Sequence, residues 1–414
     1  MFVAIRNTPR DYAWGSHTAI AEFLGAEPSG GPEAELWLGA HAGSPSEMVE
    51  PEAAGAADLA ELVGANPTLA LGHEHARAGA RLPFLLKVLA AARPLSLQAH
   101  PTPDQARTGF GREEAEGVPI DAFDRNYKDP YAKPELIVAV SETFDALSGF
   151  RPDDEVRGIL EVLREADAAS ADPQPGALDL LATRLEGPDA LRETVAWLLV
   201  DGRGGDSGEA AWVVERVVAL AAGDAALVSP YEASFRTVLD LAEEYPGDPG
   251  IVISLLLNRV TLRRGEALFL DAGNIHAYLS GLGIELMAAS DNVLRGGLTP
   301  KHIDVPELLE VLDFSPIEPP LLAPIEAGPG ILEYRPSVPD FTLFRVEGAD
   351  AAARVALGGP AIVLAEGDAV ELSGAHGSIS IARGAAAFVT PDEGALGFGG
   401  AGVAWVATTP AAAA

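Results

Sequence analysis

The apolar positions of this chain change their spacing twice along its length. From Asp153 onward they recur at the i, i+3, i+4 and i+7 spacing that lines one face of a helix, at Val156, Ile159, Leu160 and Leu163. Further segments of helical character follow at 177–185, 188–199, 209–222 and 230–244. A Gly- and Asp-rich stretch, 201–208, predicts a flexible connector between two of these helices. Residues 151–248 are therefore predicted to form a helical insertion.

Short apolar runs bounded by Gly, Pro and Asn predict strands on both sides of the insertion. Before it they lie at 34–39 and 82–89, with a short helix at 58–63 that Asp58 caps. After it they lie at 251–258, 260–262, 266–270 and 284–288, and a brief helix follows at 308–312. Towards the C-terminus, before an Ala-rich tail that we expect to fray, strands are predicted at 341–346, 361–365, 377–381 and 385–389.

This pattern predicts a mainly β protein of three domains, since the chain is longer than a single core usually supports. The first domain combines residues 1–150 and 249–318, the helical insertion spans 151–248, and a second β-sandwich or barrel covers 319–414. Hydrophobic residues make up 48% of the 414 residues, which is enough to fill such cores.

The charge balance narrows the range of partners. With 28 Lys and Arg against 61 Asp and Glu, the chain has a formal net charge of −33 and should be repelled by nucleic acid and anionic lipid. It has no cysteine, which excludes disulfides and thiolate metal sites. We see no signal peptide and no apolar run of about 18 residues, so we expect a cytoplasmic protein without a membrane partner. If its substrate is anionic, the few Lys and Arg residues should be concentrated at the site.

Four polar residues offer the donors of a metal site. Gln98 and His100 are two residues apart, so both side chains leave one face of an extended strand, while Glu135 and His276 come from other segments. Two imidazole nitrogens, a carboxylate and an amide oxygen suit a borderline divalent ion such as zinc, and cobalt and manganese share such sites. Each residue also has a structural interpretation: the histidines as hydrogen-bonded core residues, Glu135 as a strand-end charge, and Gln98 as an amide that orients His100.

The segments around these donors resemble known families. Residues 264–276 form a glycine turn, a buried strand, a second tight turn and a histidine, which resembles the second half of a cupin metal motif, although Asp271 stands where cupins often have proline. Over most of its length the chain also resembles type I phosphomannose isomerases. The similar stretches are PLSLQAHP at 94–101, KPE at 133–135 and SDNVLRGGLTPK at 290–301, together with 12–15, 34–39, 82–87, 126–129, 276–278 and 283–287.

The resemblance implies two cupin-like jelly-roll domains, with a helical domain inserted in the first. It also implies a monomeric, metal-dependent aldose–ketose isomerase that interconverts mannose 6-phosphate and fructose 6-phosphate through an enediol(ate). That step belongs to carbohydrate metabolism and supplies mannose for GDP-mannose. The implied cofactor is one Zn²⁺ per chain, with Gln98, His100, Glu135 and His276 as its ligands. The implied substrate-binding residues are Trp14, Glu35, Lys87, Ser96, Tyr278 and Lys301.

Such an isomerase needs a base that carries a proton between C2 and C1, ideally with a pKa near the working pH. Asp291, Glu285 and Lys133 are the candidates, and the sequence does not rank them. The family usually has a histidine where this chain has Ala132, so a proton-transfer role for that histidine is either absent here or filled by another group. The remaining histidines have no partner spacing and are predicted to lie at the surface: His17, His41, His73, His75, His302 and His376.

The candidate cations have two interpretations each. Arg295 aligns with an arginine that reaches the active site, where its rigid plane of donors could stabilise the enediolate; it could instead pair with Asp291 or Asp304. Lys87 lies inside an apolar strand, where a lysine is costly without a partner. It could bind the substrate phosphate with Lys301 and Arg295, or form a structural ion pair.

Two other classes of function are compatible with these residues. A cupin oxygenase would also use His and carboxylate ligands, but with redox-active iron, and both the amide of Gln98 and the set of Lys and Arg residues argue against it. A non-catalytic cupin that binds sugar phosphates is the alternative that Ala132 favours. A turnover assay separates this binding protein from an enzyme.

Overall fold

The computed structural model describes residues 1–203, 207–348 and 353–411. Residues 204–206 of the predicted connector and 412–414 of the predicted frayed tail lie outside the described residues. The predicted class is confirmed: antiparallel sheets dominate both ends of the chain and helices fill the middle.

The N-terminal part alternates short strands with short helices. Local capping sets several of their boundaries, since Asp58 accepts a hydrogen bond from the Glu61 N–H, and Thr102 and Gln105 form a reciprocal capping box. The elements are β1 (Phe2–Arg6), α1 (Ala19–Leu24), β2 (Glu35–Leu38), β3 (Glu47–Met48), α2 (Pro51–Ala54), α3 (Leu59–Ala65), α4 (Pro67–Arg77), β4 (Phe84–Ala91), β5 (Gln98–Ala99), α5 (Pro103–Glu116), β6 (Glu135–Ala139) and β7 (Thr143–Phe150).

The middle of the chain is helical, as predicted. Its helices are α6 (Asp153–Ala169), α7 (Pro175–Arg184), α8 (Ala190–Asp201), α9 (Glu209–Ala221), α10 (Asp224–Leu227), α11 (Glu232–Glu244) and α12 (Gly250–Leu255). The strand predicted at 251–258 is wrong over most of its length, because α12 occupies 250–255. Every residue of α12 is buried, so the run has no polar positions that would reveal a helical period.

After α12 the chain returns to strands, and β10 is the longest of them. These elements are β8 (Leu257–Arg263), β9 (Ala267–Leu270), β10 (His276–Ala288), β11 (Leu294–Arg295) and α13 (Val305–Val311). Within the described residues, one sheet has nine strands, which are β2 and all strands from β4 to β11. It is here called the site sheet. Its centre is β10, which pairs antiparallel with β4, β5, β6 and β7.

The C-terminal part forms two further antiparallel sheets. Its strands are β12 (Ile325–Gly328), β13 (Ile331–Tyr334), β14 (Thr342–Val346), β15 (Arg354–Ala356), β16 (Ala361–Glu366), β17 (Val370–Ser373), β18 (Ser378–Ile381), β19 (Ala386–Val389), β20 (Ala395–Gly400) and β21 (Val403–Thr408). Within the described residues, the larger sheet has the order β12-β13-β14-β21-β16-β19-β1-β3, and the smaller has β15-β20-β17-β18.

The larger C-terminal sheet includes strands from the opposite end of the chain. β1 pairs antiparallel with β19, so that Phe2 lies opposite Val389, and β3 pairs with β1. This pairing is not visible in the local pattern of either segment. The predicted division into domains stays a prediction, but the sheet joins residues 2–6 to the C-terminal strands.

Side-chain alternation in β4 separates the hydrophobic core from the interior that holds the site. Leu86 and Val88 pack into a cluster that the site sheet shares with the larger C-terminal sheet. Leu89 belongs to another cluster, which includes Tyr278. Because side chains two residues apart share a face, Lys87 projects to the side of Leu89. The lysine in this apolar strand therefore points away from the shared core.

Candidate metal centre and active site

Three buried side chains from separate segments converge at one part of the site sheet. His276 begins β10, Glu135 begins β6, and His100 follows β5 directly, because β5 ends one residue earlier than predicted. One potential ligand atom of each residue lies within 4.8 Å of those of the other two. Three of the four predicted ligand positions therefore meet.

Backbone carbonyls fix the orientation of both imidazoles. Nδ1 of His100 lies 2.8 Å from the carbonyl oxygen of Asn292, and Nδ1 of His276 lies 3.0 Å from that of Asn274. Because a carbonyl only accepts, each Nδ1 carries a proton and, in the neutral ring, each Nε2 keeps a lone pair. These Nε2 atoms face Glu135 at 3.4 and 3.3 Å, and within the described residues neither makes a hydrogen bond. Buried ring nitrogens left unsatisfied beside a carboxylate fit a metal ion such as zinc.

Gln98 lies next to this cluster in the sheet. It is directly opposite His276 of β10 on one side and Arg295 of β11 on the other. Residues opposite each other in an antiparallel pair project to the same face, so these three side chains share a face. Gln98 is half-buried. Its role as a fourth ligand, or as an amide that orients His100, stays a prediction.

The electrostatic environment keeps Glu135 and His100 in their metal-binding protonation states. Burial opposes the charge of Glu135, but the ammonium of Lys133, whose Nζ lies 2.8 Å from Oε1, lowers the pKa of this carboxyl well below its ordinary value. Burial lowers the pKa of His100 to about 4, so its imidazole is neutral near pH 7. Metal ions bind the carboxylate and the neutral imidazole.

A second buried cluster surrounds Lys87. Trp37, Lys87 and Glu285 lie opposite one another across β2, β4 and β10, and Nζ of Lys87 lies 2.8 Å from Glu285 and 3.4 Å from Glu35. Burial disfavours the ammonium, but Glu285, Glu35 and Glu135 raise the pKa of Lys87 above its ordinary value. Burial also disfavours the charge of Glu285 and so raises the pKa of this carboxyl, although the charge of Lys87 opposes this effect. Lys87 therefore forms the structural ion pair, and its binding of the substrate phosphate stays a prediction.

An irregularity in β10 places both clusters on one side of the strand. His276 and Tyr278 are at even positions and Glu285 is at an odd one, so strict alternation would send them to opposite faces. The pairing of β10 with β7 shifts register between Tyr278 and Ser280, as a β-bulge does. As a result Tyr278 lies near Glu285, and burial together with this carboxylate raises the pKa of Tyr278.

The two remaining candidate cations lie near each other. Burial lowers the pKa of Arg295, and partial burial together with the charge of Arg295 lowers the pKa of Lys301. Within the described residues Arg295 makes no ion pair, because Asp291 contacts His41 and Asp304 accepts hydrogen bonds from Asn126 and from the first turn of α13. The structural pairing considered for Arg295 is therefore not observed.

The other predicted pocket residues differ in their surroundings. Asp291 has a side chain that is 51% exposed, and Ser96 is half-buried. Trp14 stacks on Tyr12 with ring centroids 5.8 Å apart and packs against the cluster that contains Tyr278. Their proposed contacts with substrate stay predictions.

One residue at this site was missed in the sequence. His41, predicted to be a surface residue, is only 19% exposed in its side chain, and its Nε2 lies 2.9 Å from Asp291. The prediction of an unpartnered surface histidine is therefore wrong, because the partner is 250 residues away in the chain. The available signal was its position just after the strand that carries Glu35 and Trp37.

Comparison with known proteins agrees with this geometry. Residues 2–153 match the family model described as phosphomannose isomerase type I, catalytic domain. The mannose-6-phosphate isomerase of Escherichia coli is 39% identical over 94% of both chains, and that of Salmonella typhimurium is 38% identical over 96% of both. The bovine mannose-6-phosphate isomerase is 31% identical over 93% of this chain and 92% of its own.

Solved structures extend the likeness to the whole fold. A crystal structure of mannose 6-phosphate isomerase bound with zinc and yttrium superimposes with a TM-score of 0.83, at 34% identity and with 99% of both chains covered. A zinc-bound holo structure gives a TM-score of 0.84 at the same identity and coverage. The converging His, Glu and His donors, the cupin-like sheets and this similarity over nearly the full length lead to one conclusion: the chain belongs to the type I phosphomannose isomerase family and uses zinc as its cofactor.

Proposed function

We propose that this chain is a zinc-dependent mannose-6-phosphate isomerase, which interconverts mannose 6-phosphate and fructose 6-phosphate through an enediol(ate). The observation that carries the proposal is the pair of buried, unsatisfied Nε2 atoms of His100 and His276 that face the carboxylate of Glu135. This donor set lies on the same sheet as Arg295, a cation without a carboxylate partner among the described residues. A metal site beside a free guanidinium suits an anionic sugar substrate.

The zinc would be held by His100, Glu135 and His276, with Gln98 as the candidate fourth ligand. Bound there, the ion would supply Lewis-acid stabilisation of the negative charge that develops on the substrate oxygen. The carbonyl of Asn292 holds the ring of His100 through Nδ1, which directs the opposite nitrogen at the ion. Lys133 keeps Glu135 ionised, since its ammonium lies 2.8 Å away.

We favour Asp291 among the three candidate bases. The ammonium of Lys133 is engaged by Glu135, and the carboxylate of Glu285 is engaged by Lys87, each at 2.8 Å and each buried. The side chain of Asp291 is half exposed and therefore accessible to a substrate. In the direction from aldose to ketose, its carboxylate takes the proton from C2 and returns it to C1, while the O2 proton of the enediol(ate) passes to O1; the carboxylate is thereby regenerated.

Arg295 and Lys301 are the cations left for the substrate, since neither forms an ion pair within the described residues, whereas Lys87 is neutralised by two carboxylates. Arg295 lies across the strands from Gln98, beside the donor cluster, where its planar donors can hold the enediolate oxygens. Lys301 is its neighbour and would bind the phosphate as a point charge. For an anionic substrate such as a sugar phosphate, we expect the few cations of this acidic chain to be concentrated at the site, and these two residues are candidates for that role.

Location and assembly belong to the same proposal. Among the described residues, the structure contains no helix with the length and apolar character that a membrane crossing requires. We propose a cytoplasmic monomer that binds no nucleic acid. Sedimentation of the purified protein and fractionation of its host cells test these points.

The decisive experiment is an isomerase assay on mannose 6-phosphate that detects fructose 6-phosphate, with the protein as purified, after chelation, and after zinc is added back. Chelator-sensitive turnover that zinc restores is the expected result. Absence of turnover in a folded, zinc-loaded sample would overturn the proposal. Binding of the sugar phosphate in that sample would then identify a non-catalytic cupin, and oxygen consumption with bound iron would identify an oxygenase.

A further inference from the structure

His41 and Asp291 form a pair at the edge of the proposed active site. Nε2 of His41 lies 3.0 and 2.9 Å from the two carboxylate oxygens of Asp291. The imidazole packs edge-on against Trp37, with ring centroids 4.7 Å apart and an interplanar angle of 78°. Trp37 in turn lies opposite Lys87 in the sheet, 5.3 Å from its ammonium. Through Trp37, the His41–Asp291 pair is therefore in contact with the cross-strand row of residues that contains Lys87.

Backbone contacts fix which nitrogen of His41 carries the proton. The Gly43 N–H donates to Nδ1 at 3.0 Å, in a tight turn closed by the Ser44 N–H and the His41 carbonyl. Asn7 holds this turn by donating to the carbonyls of Trp37 and Ser44 at 2.9 and 3.0 Å. Because Nδ1 accepts, the proton of the neutral ring is on Nε2, the atom directed at Asp291. His41 is therefore a donor to Asp291.

The backbone of Asp291 is held from the other side. Its N–H donates to Oδ2 of Asp129 at 2.8 Å, and Ser290 donates its hydroxyl to Asp129 and to the carbonyl of Tyr131 at 2.8 and 3.1 Å. These bonds join residues 290–292 to the segment that contains Ala132. The side chain of Ala132 cannot transfer a proton. His41 therefore supplies an imidazole that is linked, through Asp291, to the segment in which Ala132 replaces the histidine that is usual in the family.

The charges around Asp291 favour its ionised form. Partial burial would favour its neutral form, but the hydrogen bond from His41, followed by the charges of Lys133 and Lys87, lowers the pKa of Asp291. The carboxylate is therefore ionised at neutral pH and lies in the field of two lysines that contact site carboxylates.

We propose that His41 is a positioning residue for proton transfer: its Nε2–H holds the Asp291 carboxylate in the orientation in which one oxygen takes the substrate proton. The inference rests on the proposed function. The C2–H bond breaks, its proton passes to Asp291, and the electrons of the C1 carbonyl move to O1. The O2 proton then passes to O1 as the C2 carbonyl forms, and Asp291 returns its proton to C1, while His41 keeps its own proton throughout. A contact to both oxygens restrains rotation of a carboxylate that is otherwise half exposed.

The test compares His41→Ala, His41→Gln, Asp291→Asn and the His41→Ala/Asp291→Asn double variant. His17→Ala is the matched control, because His17 is an exposed histidine. We expect His41→Ala to lower kcat by about 10–100-fold, less than the ~10²–10⁴-fold that a positioned acid or base itself contributes, with little change in KM. The amide of His41→Gln can donate to the same carboxylate and should recover much of kcat. In the Asp291→Asn background, His41→Ala should cost nothing further.

Two more readouts separate positioning from a structural role. Zinc content should be unchanged in His41→Ala, and the deuterium isotope effect on kcat with C2-deuterated mannose 6-phosphate should rise because proton transfer becomes slower. The proposal is overturned if His41→Ala keeps wild-type kcat, loses zinc in proportion to activity, or loses the same factor with and without Asp291. Lack of turnover in the zinc-loaded wild-type protein would instead be a failure of the proposed function.

Discussion

The buried ion pair of Lys87 gives the sharpest prediction about stability. Lys87 is 6% exposed and lies between Glu285, at 2.8 Å, and Glu35, at 3.4 Å, which are themselves buried. Lys87→Met keeps a long, unbranched side chain but removes the ammonium, so two buried carboxylates lose their partner. Removing one member of a buried ion pair typically costs about 3–5 kcal/mol in the free energy of unfolding.

This loss can be converted into a shift of the thermal midpoint. With an unfolding entropy of roughly 2.1 cal/mol/K per residue over 414 residues, it corresponds to a decrease of about 4–6 °C in calorimetry. The matched control is the Lys87→Met/Glu285→Met double variant. It should regain part of the loss, because an apolar pair of similar volume often replaces a buried ion pair without cost, whereas Glu35 still lacks its partner.

The decrease in the free energy of unfolding that Lys87→Met causes should also depend on pH. Burial raises the pKa of Glu285 even with Lys87 present. An acid whose pKa is higher in the folded state binds more protons when folded, so its contribution to stability decreases as the pH rises through that range. Without the ammonium, the loss of stability in Lys87→Met should therefore become smaller as the pH is lowered from neutral to about pH 5. Wild-type stability of Lys87→Met at neutral pH, or a deficit independent of pH, would refute this reasoning.

Three further substitutions test the metal site, the free guanidinium and the packing. His276→Ala should lower the zinc content of purified protein, measured by atomic absorption, because one of three converging donors is lost; full zinc occupancy would contradict the ligand assignment. Arg295→Lys should lower kcat by ~10²-fold at unchanged zinc content, since it loses the planar set of donors, and an unaltered kcat would remove Arg295 from the mechanism. Gly109→Ala should lower the free energy of urea unfolding by about 1–3 kcal/mol, because a Cβ would lie 2.3 Å from the ring of Tyr127; unchanged stability would mean that the ring moves aside without cost.

The fold could be predicted where polar positions alternate with apolar ones. In α6 the buried residues Val156, Ile159, Leu160 and Leu163 recur on one face, as their spacing indicates. The pattern fails in α12, which is buried on all sides and so carries no period. It also fails for β1, whose partner β19 lies at the opposite end of the chain. Local spacing contains no information about such long-range pairing.

The site could be predicted to the extent that its residue types are unusual for a core. His100, Glu135 and His276 are buried donors, and they converge as the sequence indicated. The network around them was not predictable, because it depends on the backbone. The carbonyl of Asn292 orients His100, and a turn after β2 brings His41 to Asp291. Neither contact leaves a spacing signal in the chain.

The pairing of β1 with β19 sets the order in which the protein can be completed during translation. Phe2 leaves the ribosome long before its partner Val389 is synthesised, and at roughly 5–20 residues per second the interval is about 20–80 s. Throughout this time the edge of β1 that faces β19 has unsatisfied N–H and C=O groups, which are an opportunity for a chaperone or for a neighbouring nascent chain. Synthesis of β19 therefore completes the pairing of β1 as well as that of the C-terminal strands. A ribosome that stalls before β19 leaves β1 unpaired on that edge.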